Sequence, residues 1–492
     1  MIARINYKFV LSTLVSILLS VFLFCFLKNT LFAALLSCYV FILAFSVCNY
    51  GKNIMFLAFL ICFFVFLIGR PFVIEVFGYS KYSAITLNQE SRDQMYICML
   101  VSLISLALGY FVVSFLKKNK IRKKKKEQAE RSGNVLAMMM ISKYITIALY
   151  LFVIVENIIR LVTVREIGYT ASYALDYDYG LPFGLHNLVI IAPVSLAIFL
   201  ATLPDKKEIR IPIVLFVLAN LLSSFAGNRF EIISCVLLLV VYGVWRSIID
   251  GGGWVTKKYI IWLIVLAPIV MVLMQQMTYW RDGLESNNDI GPVASFLYGT
   301  GGSSDLIGAT HQYGDRVLRD DVLYTFGGVW RGLNGNIVSQ KLGWGKTIAS
   351  QTADYANEAH SLGSALTYYF YPTKYLSGYG LGNCYIAELY QDFSMGGVIV
   401  GNIILGAVLA FISGVQKNKL WRNFICIFFV ILILRLPRDS FDYPLVNLIN
   451  LKNILFIVLI SLITKRLSKV RSISNSYDEL GGINIRGGRN LI

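Results

Sequence analysis

The feature that most constrains the fold is a series of twelve apolar runs, each close to the length of a membrane-spanning helix. A helix needs about 20 consecutive apolar residues to cross a bilayer. The runs occupy residues 9–27, 30–49, 53–69, 94–116, 136–162, 185–203, 211–227, 230–249, 259–277, 393–414, 422–436 and 444–464. Because 57% of the 492 residues are hydrophobic and only 15% are charged, the composition excludes a water-soluble fold. The sequence therefore predicts an all-α polytopic membrane protein with about 12 transmembrane helices.

The first run follows Arg4 and Lys8, the arrangement that also begins a signal peptide. The run is long, has no clear small-x-small cleavage site and leads straight into the second run. We therefore interpret it as an uncleaved first span.

Positive charge predicts which side of the membrane each loop occupies. The net charge is +17, but the cations cluster at the ends of apolar runs, as the positive-inside rule requires, so nucleic-acid binding is excluded. The basic loop at 117–131 is the strongest cytoplasmic marker. Alternating from it places the other basic clusters, at 206–210, 257–258, 417–422 and 465–471, on the same side. Both termini are then expected in the cytoplasm.

This topology divides the chain into four parts. Residues 1–277 are predicted to form a membrane bundle of nine spans, and 278–392 a large loop on the outer side. Residues 393–464 supply three more spans, and 465–492 a cytoplasmic tail.

The sequence contains no motif for a disulfide framework, a metal site or a nucleotide site. The eight cysteines form no disulfide framework, because seven lie inside apolar runs. No Cys/His cluster has metal-ligand spacing, and no glycine-rich nucleotide loop of the GxxxxGK[ST] type occurs. The sequence therefore predicts neither a metal site nor a cofactor.

Arginines on the outer side are a stronger signal, since positive-inside bias disfavours them there. A guanidinium binds phosphate through two parallel hydrogen bonds and stays charged. The arginines expected to bind a lipid diphosphate are Arg229, Arg281, Arg331, Arg435 and Arg438. The alternative is that they reach toward lipid headgroups or pair with neighbours such as Asp282 and Asp439.

Three residues are acid or base candidates, namely His360, Glu388 and His311, and we expect the first two to be catalytic. His360 lies just before the tyrosine-rich part of the outer loop, and Glu388 lies where the loop enters the tenth span. A sugar hydroxyl that attacks an anomeric carbon needs such a base. Glu388 has an alternative role as an acid favoured by the helix dipole, and His360 as an ordinary loop residue.

The outer loop is rich in tryptophan and tyrosine. Such rings populate membrane interfaces in general, and they also stack on sugar faces. We expect Trp280, Trp330 and Tyr369 to contact sugar.

Three segments carry a resemblance to a known family. They are the stretch 379–398, the Ala226-Gly-Asn-Arg229 turn between two spans, and Leu436-Pro-Arg438-Asp-Ser-Phe441. Together with the twelve-span layout and one large late loop, they resemble the bacterial O-antigen polysaccharide polymerase (Wzy) family. The chain departs from that pattern at Ser394-Met395, where such proteins often carry a glycine after the aromatic residue.

The resemblance implies a GT-C-like membrane glycosyltransferase in the bacterial inner membrane. It implies transfer of a growing glycan from undecaprenyl diphosphate to a new undecaprenyl-diphosphate-linked repeat unit on the outer leaflet, without a nucleotide or an obligatory metal. The arginines would hold the diphosphates, and His360 or Glu388 would activate the acceptor hydroxyl. Binding of a chain-length regulator protein stays open.

Two alternatives remain at this stage. One is the related O-antigen ligase, which transfers finished polymer to lipid A. The other is a polysaccharide flippase or exporter, which would need a polar path through the bundle. Ionisable residues mark such paths, and here they are few and lie near the ends of the spans.

Overall fold

The computed structural model describes residues 7–80, 85–121, 133–174, 185–282 and 290–483, and within these ranges the chain is helical without a strand. The first eleven helices are α1 (Tyr7–Phe26), α2 (Thr30–Cys48), α3 (Tyr50–Phe63), α4 (Gly69–Phe77), α5 (Gln89–Ile121), α6 (Gly133–Ile167), α7 (Tyr169–Ala174), α8 (Leu185–Ala201), α9 (Lys206–Phe225), α10 (Arg229–Ile249) and α11 (Lys257–Asp282).

Seven short helices then precede the last long ones. They are α12 (Pro292–Thr300), α13 (Ser303–Val317), α14 (Gly327–Asn334), α15 (Ile337–Lys341), α16 (Ala353–Glu358), α17 (Leu362–Phe370) and α18 (Pro372–Leu376). The remaining helices are α19 (Tyr385–Phe411), α20 (Leu420–Ile433), α21 (Tyr443–Ile449) and α22 (Leu451–Ile483), with a 3₁₀ turn at Leu436–Arg438.

Nine helices in the described ranges are long and apolar enough to cross a membrane, and the bent pair α21–α22 adds a tenth. Two shorter apolar helices, Val10–Phe26 and His186–Ala201, coincide with two more of the predicted runs. Every predicted run thus falls on a helix. The all-α polytopic fold is confirmed, while the count of twelve spans stays a prediction.

The helix that contains the third predicted run extends well beyond it. Here α3 and α4 are joined by a π-helical turn at Phe64–Ile68, and together they span Tyr50–Phe77. Single π turns of this kind are frequent at functional sites. The extension carries Arg70 into the protein interior, where it is buried.

The packing of α5 against α19 forms the centre of the bundle. A side chain at Gly109 would overlap the carbonyl oxygen of Ile403, and one at Gly406 would overlap that of Leu106. Small residues allow two backbones in a membrane to approach this closely. Buried Asn402 adds a hydrogen bond from its Nδ2 to Ser102 Oγ, 3.1 Å away on α5.

Helix α19 begins at Tyr385, eight residues before the predicted tenth span, and it is kinked at Ser394, which has φ 51° and ψ −151°. The segment before the kink is therefore a helical extension of the span. It holds Glu388 in the first helical turn.

Candidate functional site

The buried carboxylate of Glu388 joins two segments that are distant in sequence. Its Oε1 accepts a hydrogen bond from Asn383 Nδ2 at 2.6 Å, and its Oε2 accepts one from the Phe441 N–H at 2.8 Å. The Asn383 amide also donates to Ser440 Oγ at 2.7 Å. Glu388 is fully buried, so both of its oxygens are used to hold the turn before α19 against residues 440–441.

The glycine turn before α19 lies beside Arg438. Gly382 has φ +85°, and a Cβ built on it would lie 3.8 Å from Ser303 Oγ and 4.0 Å from Arg438 Nε. The positive φ favours glycine at this position. The turn therefore places the N-terminus of α13 next to the exposed side chain of Arg438.

Asp442 connects the same region to α14. Its carboxylate is buried, and Oδ2 accepts a hydrogen bond from the Val329 N–H at 2.7 Å. A negative charge at a helix N-terminus complements the helix dipole. Burial raises the pKa of Asp442, and the hydrogen bond from Val329 opposes that shift. Asp442 thereby fixes the first turn of α14.

Helix α14 in turn presents Trp330 and Arg331 to His360. The rings of Trp330 and His360 are stacked, with centroids 4.1 Å apart and an angle of 18°. Arg331 Nη1 donates to the carbonyl oxygens of Ala359 (2.8 Å) and His360 (3.1 Å). These contacts hold His360 at φ +50°, which is an uncommon conformation for a non-glycine residue.

The environment of His360 favours the neutral imidazole. Burial lowers its pKa, the charges of Arg319 and Arg331 lower it further, and Asp321 opposes them. The ordinary histidine pKa is about 6.5. At neutral pH the ring is therefore uncharged and able to accept a proton.

Arg435 is already paired with carboxylates. Its Nε lies 2.7 Å from Asp439 Oδ2, and its Nη1 lies 3.4 Å from Glu231 Oε1. Its guanidinium also lies over the Phe230 ring, 5.5 Å from the centroid. The pairing with Asp439 is the alternative considered from the sequence. Arg229 begins α10 directly before Phe230 and Glu231, so its backbone is close to Arg435.

The side chains of three predicted residues, Arg229, Trp280 and Arg281, lie outside the described part of the structure. Tyr369 on α17 is exposed, and its ring lies near Tyr313, with centroids 6.1 Å apart. Among the described residues, the ring contacts of Tyr369 are with Tyr313 and Phe370 and not with Trp330 or His360.

Sequence reasoning missed a buried ion pair. Arg70 Nη1 contacts Asp305 Oδ2, and Arg70 Nε donates to the Tyr298 carbonyl oxygen at 2.8 Å. A Cβ on Gly302 would lie 3.1 Å from Arg70 Nη2, so this pair sits behind the N-terminus of α13. The signal was available, because Arg70 is itself an arginine at the predicted outer end of an apolar run.

The predicted residues Glu388, Arg331, His360 and Trp330 thus belong to one series of contacts, which passes through Phe441 and Asp442, close in the chain to Arg438. It lies where the seven short helices meet the ends of α19 and α21. Among the described residues, no three His, Cys, Asp or Glu side chains are grouped as metal ligands. The fold and the site define a polytopic membrane protein with a cationic, aromatic site at one end of its helix bundle.

Comparison with known proteins places this architecture in a family. The chain belongs to the O-antigen polysaccharide polymerase Wzy family, whose model matches residues 7–471, nearly the whole chain. It is therefore a membrane polysaccharide polymerase, an enzyme of polysaccharide biosynthesis. No curated protein and no solved structure matches it.

Proposed function

We propose that this polymerase moves a growing glycan from undecaprenyl diphosphate to a new undecaprenyl-diphosphate-linked repeat unit on the outer leaflet of the bacterial inner membrane. Both termini then lie in the cytoplasm. The proposal is supported by the series of contacts that runs from Phe441 and Asp442 to Trp330 and His360. It brings the segment of Arg438, a candidate phosphate-binding residue, together with a candidate sugar platform and base. A substrate that is part lipid diphosphate and part sugar needs both kinds of group at one site.

His360 is the better of the two base candidates. It is half-buried, neutral at neutral pH and stacked on Trp330. In the proposed step, the imidazole takes the proton of the acceptor hydroxyl, and the hydroxyl oxygen bonds to the anomeric carbon of the growing chain. The bond from that carbon to the diphosphate oxygen breaks, and undecaprenyl diphosphate leaves with the electron pair. The imidazolium then releases its proton to water.

Glu388 acts in this proposal as a positioning residue. Its carboxylate is fully buried, and both oxygens accept hydrogen bonds from the protein. A base must reach the proton that it removes, and this carboxylate faces Asn383 and Phe441 instead. Its role is to keep the Gly382 turn and the Arg438 segment at a fixed separation.

Arg438 is the first choice for contact with the diphosphate, because it is exposed beside the N-terminus of α13. Arg331 is second, with one nitrogen committed to the His360 loop. Arg229, Arg281 and Arg435 complete the proposed set. Their charge stabilises the leaving group electrostatically. Since the donor sugar already carries a diphosphate leaving group, no nucleotide is required, and the proposed step includes no metal.

Sugar recognition is assigned to the aromatic side chains. Trp330 already stacks on one planar ring, and its position beside His360 suits a sugar placed next to the base. Trp280 and Tyr369 are proposed for more distant sugar units of the same glycan. A chain-length regulator protein remains a proposed partner.

The test in cells is the length distribution of the polysaccharide. A strain without this protein should make single repeat units and no ladder. Arg438→Ala and His360→Ala should reproduce that pattern at a normal protein level. Lys374→Ala, which removes an exposed charge on α18, should leave the ladder intact.

The same experiment separates the alternatives. A ligase would leave long polymer on undecaprenyl diphosphate when it is lost, and an exporter would leave unpolymerised units on the inner leaflet. Normal ladders in Arg438→Ala and His360→Ala would contradict the proposed site.

A further inference from the structure

Residues 333–346, in α14, α15 and the turn that follows, have an apolar outer surface. Four side chains are largely exposed: Leu333 (53%), Val338 (56%), Leu342 (67%) and Trp344 (64%). Soluble loops rarely expose large apolar side chains in such a cluster. We call these four side chains the apolar face.

The backbone of this segment is hydrogen-bonded within the segment, around the buried side chain of Ser339. Ser339 is fully buried, and its Oγ is 2.8 Å from the carbonyl oxygens of both Asn334 and Asn336. The Trp344 and Gly345 N–H groups donate to the Ser339 carbonyl oxygen at 3.2 and 3.0 Å. The backbone is thus hydrogen-bonded around one buried serine.

The Asn336 side chain adds three hydrogen bonds to backbone groups of α14 and α15. Its Oδ1 accepts from the Ser339 N–H at 2.9 Å, and its Nδ2 donates to the carbonyl oxygens of Gly332 (3.1 Å) and Leu333 (2.6 Å). The segment thus bonds many of its backbone polar groups internally, while the side chains of Gln340, Lys341 and Lys346 are exposed. Those bonded groups satisfy the condition that hydrocarbon imposes, namely that backbone polar groups find partners within the protein.

The segment begins at the end of a helix that packs against the start of the last candidate span. Helix α14 lies directly on α21, since a Cβ on Gly328 would lie 2.9 Å from Val446 Cγ2 and the Val329 N–H binds Asp442. Helix α21 begins the last candidate span and exposes Leu445 and Ile449. The helix that carries Leu333 therefore packs on the helix that begins the last candidate span.

The charges beside the apolar face match a membrane interface. Lys341 and Lys346 flank Leu342 and Trp344, and both are exposed. The Lys346 ammonium lies 3.8 Å from the carboxylate of the exposed Glu358. Tryptophan with flanking lysine is typical of the headgroup region, where the ring is half in hydrocarbon and the ammonium reaches phosphate.

We propose that residues 333–346 are embedded in the lipid bilayer, at the surface that adjoins the Asp442 end of α21, with Leu342 and Trp344 among the acyl chains. Interfacial segments of this kind reach about 5–10 Å into the headgroup and acyl boundary. The occupant of the apolar face is lipid. Because Trp330 and Arg331 lie on the same helix as Leu333, this anchor fixes the height of the stacked Trp330–His360 pair above the membrane.

The test uses the full chain in lipid nanodiscs with an environment-sensitive fluorophore on a single introduced cysteine. Leu342→Cys probes the apolar face. Asp320→Cys is the matched control, because it is exposed in the polar loop before α14. Cys25, Cys38 and Cys48, the native cysteines that are not buried, are replaced by serine in both proteins.

Lipids brominated near the headgroup end of the acyl chain should quench the label at 342 several-fold more than the label at 320, and iodide in water should do the reverse. Two results overturn the proposal. Equal iodide quenching at both positions would place the segment in water, and protection of 342 from both quenchers would mean that protein covers the face. Neither reading depends on glycan transfer, so the result is independent of the proposed function.

Discussion

At the scale of single residues, the pKa of His360 is lowered by burial and by charges that lie outside its own loop. After burial, Arg319 is the largest cause of the lowered pKa of His360, and Asp321 acts in the opposite direction. Arg319 itself is bound to Asp321 through Nε at 2.9 Å and through Nη2. In the proposed mechanism, the pH at which activity falls on the acidic side therefore depends on the Arg319–Asp321 pair.

We predict that Arg319→Gln moves the acidic limb of the pH–rate profile to higher pH. The change removes a charge that disfavours the imidazolium and frees Asp321, which favours it, so both effects raise the pKa of His360. A base works only when deprotonated, so activity should be lost at a higher pH than in the wild type. The measurement is the initial rate of glycan extension between about pH 5 and 8, where histidine titrates. An unchanged or downward-shifted limb would exclude His360 as the base.

Ser394 gives a second prediction at this scale. Its φ of 51° with ψ −151° is close to a region that is essentially restricted to glycine and costs about 1–3 kcal/mol in other residues. Ser394→Gly should therefore raise stability by roughly 1 kcal/mol, seen as a higher temperature for loss of monodisperse protein in detergent. Ser377→Gly is the control, because Ser377 has φ −91° and should gain nothing. Equal responses of the two variants would show that the kink is not strained.

The sequence identified His360, Arg331 and Trp330 singly but could not bring them together. The contact between Arg331 and His360 crosses 29 positions in a loop without apolar periodicity, and no local pattern encodes such a contact. Asp442 was missed for the same reason, since its partner is a backbone N–H at position 329. The sequence already showed serine at position 394, where related proteins often carry glycine. The positive φ of Ser394 explains why glycine is favoured there.

At the scale of elements, α14 is the piece on which the proposed site depends. Gly327 faces the His360 carbonyl oxygen so closely that a Cβ would overlap it, whereas a Cβ on Gly332 of the same helix would meet nothing within 4 Å. These two glycines form a matched pair. They separate a general effect on helix propensity from a specific effect on the His360 loop.

We predict that Gly327→Ala lowers the rate of polymer formation at least about tenfold, the factor that a loss of ~1.4 kcal/mol of transition-state stabilisation produces. Gly332→Ala should leave the rate unchanged, since alanine is the better helix former. The protein level and the elution profile of both variants should equal the wild type. Similar rates for the two variants would mean that the position of His360 against α14 does not matter.

The elements differ in how well they were predictable. The long spans follow from apolar length alone, and each predicted run falls on a helix. The short helices α12–α18 were not resolved individually, because glycine- and tyrosine-rich sequence carries little periodicity. The start of α19 at Tyr385 was missed because Glu388 and Asp392 interrupt the apolar run, yet Asp392 is bound by the Tyr324 and Thr325 N–H groups.

At the scale of the whole molecule, the bundle is organised around the close contact of α5 and α19. Hydropathy gives no partner for either helix, so the contact could not be predicted from one sequence. In hindsight, Gly109 and Gly406 are the small residues that such a contact requires. The contact also fixes α19, and with it the Glu388 network, relative to the rest of the membrane domain.

We predict that Gly406→Ala destabilises the protein, by roughly 1–3 kcal/mol as expected for an overpacked contact, because its Cβ would overlap the Leu106 carbonyl oxygen. Gly396→Ala, in the same helix with open space around it, should be neutral or slightly stabilising. The temperature at which each purified variant loses its monodisperse peak measures the difference. If the Gly406 variant were as stable as the Gly396 variant, the α5–α19 contact would not be the centre of the bundle.

The most direct test of the account is extension of a purified lipid-linked repeat unit by the purified protein, without nucleotides. The wild type should convert single units into a ladder and release undecaprenyl diphosphate. Arg438→Ala should slow this by about 100-fold, the scale of losing one electrostatic donor, and Arg438→Lys should recover part of it, since it restores charge without the bidentate fork. Lys374→Ala should match the wild type. No extension by the wild-type protein, or full activity of Arg438→Ala, would contradict the account.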